Sequence, residues 1–146
     1  MKSYRSLSER HRIRKAIKTL RLNYQILGSG KTRIVYDLDN GYVLKVAISK
    51  RGLKSNQTEF HLYNGYSDRI RKYLCPVIES GEGWIIMKKM NRMVELTERY
   101  KDKLPRIKRK FKRAGVTARS LRSKNLAVYR HRIKVIDYGS FKNVNP

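Results

Sequence analysis

The chain has 146 residues and a formal net charge of +25, because 36 Lys and Arg residues stand against 11 Asp and Glu residues. This length suits one domain or two small lobes, and no apolar run approaches the roughly 20 residues that a membrane-spanning helix needs. The single cysteine, Cys75, excludes an internal disulfide framework, and the three histidines lack the spacing of zinc ligands.

The positive charge is concentrated in two blocks. Residues 1–22 hold eight basic residues and one acid, and residues 99–124 hold twelve basic residues and one acid. Residues 23–98 are nearly balanced, with twelve basic and eight acidic residues. We therefore expect a folded core with basic attachments and a polyanionic partner such as RNA, DNA, an acidic protein surface or nucleotide phosphates. The charged N-terminus lacks the apolar segment of a secretory signal, so we expect a cytoplasmic protein.

The N-terminal half is predicted to contain two helices and five strands. Ser6 or Ser8 begins a basic helix that runs to about Leu20. Three strands follow at residues 24–27, 33–38 and 42–48, the last two joined by a tight turn at 39–41. Gly52 is expected to interrupt the regular secondary structure after the third strand, and a helix over residues 56–66 follows with Ser55 as its N-cap. Strands at 77–79 and 84–87 complete an antiparallel sheet with one helix inserted after its third strand.

The C-terminal half has clear helix boundaries and one hairpin. Residues 94–114 are predicted to form two helices, with Pro105 in the first turn of the second and Gly115 after its end. Residues 126–128 and 133–136 form a short hairpin.

A glycine-rich loop joins the first two predicted strands and contains Gly28, Ser29, Gly30, Lys31 and Thr32. Glycines let backbone amides come close to phosphates, although a plain glycine hairpin has the same pattern. Lys45 lies between apolar strand residues, and an inward-facing lysine needs an anionic partner. Glu59 on the following helix can supply it, unless Lys45 is simply exposed on the strand.

Asn125 and Asp137 flank the C-terminal hairpin. Asp137 follows an apolar strand and precedes Gly139, and the hairpin brings Asn125 towards it. Amide and carboxylate oxygens suit Mg²⁺, although Asn125 as a cap and Asp137 as a turn residue would also explain them.

Together these features resemble the protein-kinase-like fold over about residues 23–141. Gly28-Ser29-Gly30 resembles its glycine-rich loop, the segment 118–125 resembles its catalytic loop, and Asp137-Tyr138-Gly139 resembles its Asp-Phe-Gly motif. The resemblance is closest to the small kinase-like proteins of bacteria and their phages. It implies an α+β fold with a basic arm at 1–22, a five-stranded antiparallel N-lobe with one helix at 23–90, and a truncated, mostly helical C-lobe at 91–146.

The resemblance also implies a site for ATP and Mg²⁺. The loop amides would cover the phosphates, Lys45 would hold the α- and β-phosphates, and Glu59 would hold Lys45. Asn125 and Asp137 would hold Mg²⁺. The adenine would meet a hinge segment formed by Met87, Lys88 and Lys89.

Three departures from the kinase pattern predict weak or absent catalysis. Arg33 replaces the third glycine of the loop, and only seven residues follow Gly139. Ser120 stands at the position of the catalytic aspartate, and no acid occurs from Lys103 to Ile136. Loss of the general base alone costs on the order of 10²–10⁴ in rate. The sequence therefore predicts a degenerate, pseudokinase-like protein that acts by binding.

Two alternatives keep different parts of this interpretation. One is an active serine/threonine-type kinase or small phosphotransferase with an unorthodox catalytic loop. The other is a basic nucleic-acid-binding or ribosome-associated protein with a relic nucleotide site. In each case the predicted anion-binding residues belong to the two basic blocks: Arg12, Arg14, Lys15, Lys108, Arg109, Lys110, Lys112, Arg113, Arg119, Arg122 and Lys124.

Overall fold

Five antiparallel strands form the main sheet of the computed structural model, which describes residues 22–93 and 95–143. The strands are β1 (Gln25–Ser29), β2 (Arg33–Asp37), β3 (Tyr42–Ala47), β4 (Val77–Gly81) and β5 (Trp84–Lys88). β5 pairs with β3, which leaves β4 at the edge of the sheet and β1 at the opposite edge. The predicted five-stranded sheet is confirmed, with strand ends that differ by one or two residues. The predicted N-terminal helix and its basic residues Arg12, Arg14 and Lys15 lie outside the described residues.

The two faces of this sheet have different chemistry. Ile34 and Tyr36 point to one face with Ile48, and Leu44 and Val46 pack against them. This spacing of two follows from the alternation of side chains along a strand. The residues between them in β2 lie on the other face, where charged side chains are buried beside apolar ones. The predicted site residue Lys45 lies on this second face, paired with Val35.

Helix α1 (Lys50–Gly65) begins six residues before the predicted start at residue 56. Ser49 is the residue that precedes it: its Oγ accepts the N–H of Gly52 at 3.0 Å, and its carbonyl accepts the N–H of Leu53 at 3.1 Å. The prediction that Gly52 interrupts the secondary structure is wrong, because Gly52 lies within α1. A Cβ on Gly52 would lie 2.1 Å from the carbonyl oxygen of Thr32, so glycine here permits a close contact rather than a turn.

The described residues group into two units, 22–56 with 78–89 and 57–77 with 90–143. Helix α1 therefore contributes its first turns to one unit and the remainder to the other. The second unit also contains α2 (Asp68–Arg71), α3 (Glu98–Lys101), α4 (Leu104–Arg113), β6 (Val116–Thr117), a 3₁₀ helix (Ser123–Asn125), β7 (Leu126–Tyr129), β8 (Arg132–Val135) and β9 (Lys142–Asn143).

Helix α4 and the β7–β8 hairpin confirm the sequence predictions for this region. Pro105 lies in the first turn of α4, Gly115 has a φ of +84° after its end, and Arg130 and His131 form a two-residue hairpin turn with φ of +51° and +64°. The described chain after residue 91 is less helical than predicted, because β6 pairs with β9 and α3 has four residues. Strands of two residues carry no alternation from which to predict them.

The core of the second unit is built around aromatic side chains. The rings of Phe111 and Phe141 meet edge to face with centroids 5.5 Å apart, and Tyr138 packs at 6.1 Å from Phe141. Tyr138 is fully buried, and its hydroxyl donates to the carbonyl of Cys75 at 2.9 Å. The core therefore fixes the residue that follows Asp137. None of the helices in the described part of the chain has the length and apolar character that a bilayer crossing requires.

Candidate functional site

A row of directly paired residues crosses the charged face of the main sheet. Gly28 of β1 pairs with Val35 of β2, Val35 pairs with Lys45 of β3, and Lys45 pairs with Ile85 of β5. Directly paired residues share a face, and neighbouring strands lie about 4.8 Å apart. Gly28 and Lys45 are thus two strands apart on one face, about 10 Å between their backbones. The structure brings these two predicted residues together.

Lys45 is 5% exposed on this face. Its neighbours Val35 and Ile85 are apolar, and Ile85 is fully buried. Burial of an ammonium group is costly unless anions or hydrogen-bond acceptors surround it. The ammonium group of Lys45 is therefore stabilised by specific polar contacts and not by bulk water.

The glycine-rich loop between β1 and β2 consists of Gly30, Lys31 and Thr32. The N–H of Gly30 donates to the carbonyl of Arg33 at 3.1 Å, and the carbonyl of Thr32 accepts the N–H of Ile48 at 2.8 Å. No heavy atom outside its immediate chain neighbours lies within 4 Å of a Cβ built on Gly30. No contact in the described chain therefore requires glycine at this position, and the loop leaves open space beside its backbone. Ser29 and Lys31 are exposed.

Arg33, at the position of the missing third glycine, has a structural contact. It is buried, and its Nη1 donates to Oδ1 of Asn56 at 3.0 Å. Asn56 lies in α1, so this contact ties the start of β2 to the helix. The loop consequently ends in an anchored arginine instead of a third flexible glycine.

The predicted hinge residues are divided between the two faces of the sheet. Met87 is buried and pairs with Val43, on the same face as Lys45, whereas Lys88 is paired with Tyr42 on the opposite face. Lys89 is engaged within the first unit. Its Nζ contacts Oδ2 of Asp37 at 2.6 Å, and its N–H donates to the carbonyl of Gly41 at 2.8 Å.

The ion pair between Lys89 and Asp37 changes the acidity of that carboxyl. The hydrogen bond from Lys89, followed by the hydrogen bond from the Asp39 N–H to Oδ1, lowers the pKa of Asp37 below its ordinary value. The side-chain and N–H groups of Lys89 therefore both hold the β2–β3 turn.

In the second unit, both neighbours of Asp137 are anchored to predicted site residues. The N–H of Ile136 donates to the carbonyl of Asn125 at 2.8 Å, and the N–H of Tyr138 donates to Oε2 of Glu59 at 2.9 Å. Glu59 is fully buried. The fold thus places Asp137 between Asn125 on one side and Glu59 on the other, although these residues are far apart in the chain.

The catalytic-loop-like segment is held in a fixed turn. The carbonyl of Ser120 accepts Nδ2 of Asn125 at 2.7 Å and the N–H of Arg122 at 2.8 Å. Ser120 is exposed and has a φ of +56°, in the left-handed region that non-glycine residues seldom adopt. With its Nδ2 bound in this way, Asn125 presents Oδ1 as the atom able to coordinate a cation. Ser120 itself offers a hydroxyl and no carboxylate.

The donor set of Asn125 and Asp137 fits Mg²⁺ in part. One carboxylate and one amide oxygen are hard ligands of the kind that Mg²⁺ prefers, and Mg²⁺ keeps several waters or phosphate oxygens in its coordination shell. Within residues 22–93 and 95–143, no group of three or more His, Cys, Asp or Glu side chains is placed to hold a metal ion. The two residues therefore suit a cation that arrives with a phosphate ligand.

The basic block at 99–124 is spread over several surfaces. Lys110 and Arg113 line open clefts of the second unit, whereas Lys108, Arg109 and Lys112 are exposed on α4 and line neither cleft. Arg119, Arg122 and Lys124 are exposed on the catalytic-loop-like segment and the 3₁₀ helix.

A cluster around Tyr73 was not foreseen from the sequence. Nζ of Lys110 donates to the Tyr73 hydroxyl at 2.7 Å, and Lys72 and Arg132 also lie over its ring. Burial raises the pKa of Tyr73, but the hydrogen bond from Lys110 and the charges of Lys110, Lys72 and Arg132 outweigh burial and lower the pKa overall. The i, i+3, i+7 spacing of Lys103, Arg106 and Lys110 is the signal that points to this cluster.

The five-stranded antiparallel sheet and the helix after its third strand belong to an α+β fold that distantly resembles the kinase-like fold of solved structures. A co-crystal structure of WbdD and the kinase inhibitor LY294002 resembles the chain with a TM-score of 0.53 and 18% identity, over 84% of this chain and 34% of that one. A 2.2 Å crystal structure of WbdD gives 0.52 and 18%, over 82% and 33%. The chain spans about a third of these proteins, and the likeness concerns the fold. No protein-family profile and no curated protein sequence matches the chain.

Proposed function

We propose that this chain is a minimal kinase-like protein that binds ATP with Mg²⁺, transfers phosphate weakly or not at all, and engages an anionic macromolecule through its basic surface. The observation that carries the proposal is the pair of hydrogen bonds that the backbone donates on either side of Asp137, from the Ile136 N–H to the Asn125 carbonyl and from the Tyr138 N–H to the Glu59 carboxylate. Glu59, Asn125 and Asp137 come from separate segments and meet at this turn. They follow one another along the chain as the corresponding residues of a kinase-like site do.

The first unit supplies independent support. Lys45 is buried in a row with Gly28, and Gly30 leaves open space beside the loop backbone. A site for a triphosphate needs a fixed cation and backbone that a ligand can approach closely. Asn125 and Asp137 are the residues that would hold Mg²⁺, whose charge offsets that of the phosphates when bound.

The proposal of weak transfer rests on Ser120. Its backbone is held by Asn125 and Arg122, and the segment from Lys103 to Ile136 contains no acid to replace the missing aspartate. A serine hydroxyl does not accept the proton of a substrate hydroxyl at neutral pH as a carboxylate does. Any transfer would then depend on positioning and on the electrostatic stabilisation of the phosphate.

Thermal unfolding of the full chain with and without ATP and Mg²⁺ tests nucleotide binding. Ligand at a hundredfold excess over its Kd stabilises a protein by about 2.7 kcal/mol, which raises the Tm by roughly 5–15 °C for a chain of this size. Lys45→Met and Asp137→Asn should lose most of this shift. The exposed residues Lys54 and Asp102 provide charge-matched controls, and Lys54→Met and Asp102→Asn should keep it.

The outcomes separate the parts of the proposal. Equal shifts in the site variants and the controls would place nucleotide binding elsewhere, and the absence of any shift in the natural chain would remove it. Each variant is compared with its own unliganded Tm, so a loss of stability is not mistaken for a loss of binding. Chelation of Mg²⁺ should lower the shift of the natural chain more than that of Asp137→Asn.

Phosphotransfer is tested by following labelled γ-phosphate with the chain alone and with a general acceptor such as myelin basic protein. We expect transfer at least 10²-fold below that of an enzyme with a catalytic carboxylate. Robust transfer that is lost in Asp137→Asn would instead support the active-phosphotransferase alternative.

A further inference from the structure

One face of α4 forms a continuous row of cations. Lys103 occupies the N-cap position, and Arg106, Lys110 and Arg113 follow at intervals of three and four residues, which places all four on one side. At 1.5 Å per residue the row is about 15 Å long. Ile107 and Phe111 of the same helix are buried, so the core fixes the helix that carries the row.

The row lines two open clefts that share Lys110. The first has a volume of about 270 Å³ and includes Lys103, Arg106 and Tyr73. The second has a volume of about 560 Å³ and includes Arg113. The facing walls are also basic: Arg132 and His131 come from the β7–β8 turn, and Arg69 and Lys72 from the region of α2. No acidic side chain lines either cleft among the described residues.

The charges in these clefts lie close together. Nζ of Lys110, Nζ of Lys72 and Cζ of Arg132 lie 5.2, 5.3 and 6.0 Å from the centroid of the Tyr73 ring. Three cations gathered around one ring repel one another, and the repulsion is relieved when an anion enters among them. The Tyr73 hydroxyl accepts a hydrogen bond from Lys110, so its own proton can be donated to an oxygen of that anion.

We propose that these joined clefts bind the phosphate backbone of a single-stranded nucleic acid. Phosphates recur along one line in a strand, as the cations recur along α4, and a single strand can enter a cleft. A duplex is a rigid cylinder that would meet only the rim, and a folded acidic protein presents carboxylates on a broad surface. Tyr66 also lines the larger cleft and supplies an aromatic ring, and basic grooves with aromatic rings are the usual design for binding single strands.

This inference rests on the macromolecule-binding part of the proposed function and is independent of its nucleotide-binding part. The test uses the full chain and the fluorescence anisotropy of a labelled short oligouridylate, titrated at several salt concentrations. The cleft variant carries Arg106→Gln, Lys110→Gln and Arg113→Gln. The control variant carries Lys108→Gln, Arg109→Gln and Lys112→Gln. The sequence alone groups these residues with the anion-binding set, but they line neither cleft, so the inference excludes them while the variant removes the same charge from the same helix.

The expected result is a difference in salt dependence between two proteins of equal net charge. Each phosphate contact on a single strand contributes about 0.7 to the slope of log K against log salt. The cleft variant should therefore lose about 2 from the magnitude of the slope and bind at least tenfold more weakly at low salt. The control should keep the slope of the natural chain. The single change Arg106→Gln, with an expected loss of about 0.7, serves if the triple variant fails to fold.

Four results would overturn the inference. Equal losses in the two triple variants would mean diffuse binding by the whole basic surface. Tighter binding of a duplex of the same length, or of polyglutamate, would mean a different partner, and no binding of any strand at low salt would remove nucleic acid altogether. Binding of an oligodeoxythymidylate at the same slope supports the phosphate contact for DNA as well as RNA. The thermal shift with ATP and Mg²⁺ should be unchanged in the cleft variant, so failure of one proposal is distinguishable from failure of the other.

Discussion

The N–H of Tyr138 donates a 2.9 Å hydrogen bond to the fully buried carboxylate of Glu59, 79 residues away in the chain. This contact fixes the turn that holds Asp137. Glu59→Ala removes the acceptor from a buried N–H, and we expect it to lower the free energy of unfolding by about 2–3 kcal/mol. Urea denaturation measures the change.

Glu59→Gln is the matched variant, because a glutamine keeps an oxygen at the same reach. It should cost about 1 kcal/mol, less than half the effect of the alanine variant. Equal losses in the two variants would mean that the acceptor oxygen does not stabilise the Asp137 turn.

Gly52 is predicted to be one of the least replaceable positions of α1. A Cβ would lie 2.1 Å from the Thr32 carbonyl oxygen and 3.2 Å from Cα of Ala47, both backbone atoms that cannot move aside cheaply. Gly52→Ala should therefore lower the free energy of unfolding by about 2–4 kcal/mol. Gly65→Ala, at the last residue of the same helix, meets no atom within 4 Å and should be neutral or stabilising by up to about 1 kcal/mol. Destabilisation of the same size in both variants would contradict this assignment.

The Asp37–Lys89 pair should make stability depend on pH in the acidic range. The folded-state pKa of Asp37 is lowered, chiefly by the Lys89 hydrogen bond, so its contribution is fully present above the unfolded pKa of about 3.9. That contribution is lost as the pH falls through the folded-state pKa. Asp37→Asn should be less stable than the natural chain at neutral pH, and the difference should shrink below about pH 4. A difference that stays constant across this range would exclude the ionised carboxylate as its source.

Tyr73 should ionise more readily than an ordinary tyrosine. Lys110, Lys72 and Arg132 favour the phenolate and together outweigh the opposing effect of burial. A spectroscopic titration of tyrosinate should show one group ionising below pH 10, absent in Tyr73→Phe and moved upwards in Lys110→Gln. A titration curve that is identical in Tyr73→Phe and the natural chain would contradict the cluster.

The sheet was predictable from the sequence because its signals are local. The alternation in β2 and β3 and the turn at Asp39-Asn40-Gly41 each act over a few residues. The start of α1 was not predictable in this way. Gly52 is needed there because of its close approach to the Thr32 carbonyl, and that approach exists only in the folded state. A glycine that permits close contact and a glycine that ends a helix look the same in a sequence.

The predictions for the candidate site divide in the same way, between what local motifs indicate and what only the folded structure reveals. Motif order led to Lys45, Glu59, Asn125 and Asp137 as candidate site residues. It was not sufficient to predict that Lys88 lies on the opposite face from Lys45, or that Lys89 is tied to Asp37. The Tyr73 cluster was missed because its cations come from three segments, and only their meeting makes a cleft.

The left-handed backbone of Ser120 determines which side chains position 120 accepts without strain. Aspartate and asparagine tolerate this conformation better than serine does, so the turn held by Asn125 and Arg122 suits the residue that the kinase pattern places there. Position 120 therefore accepts an aspartate or asparagine with less backbone strain than the serine that occupies it, so the serine stands there at a conformational cost.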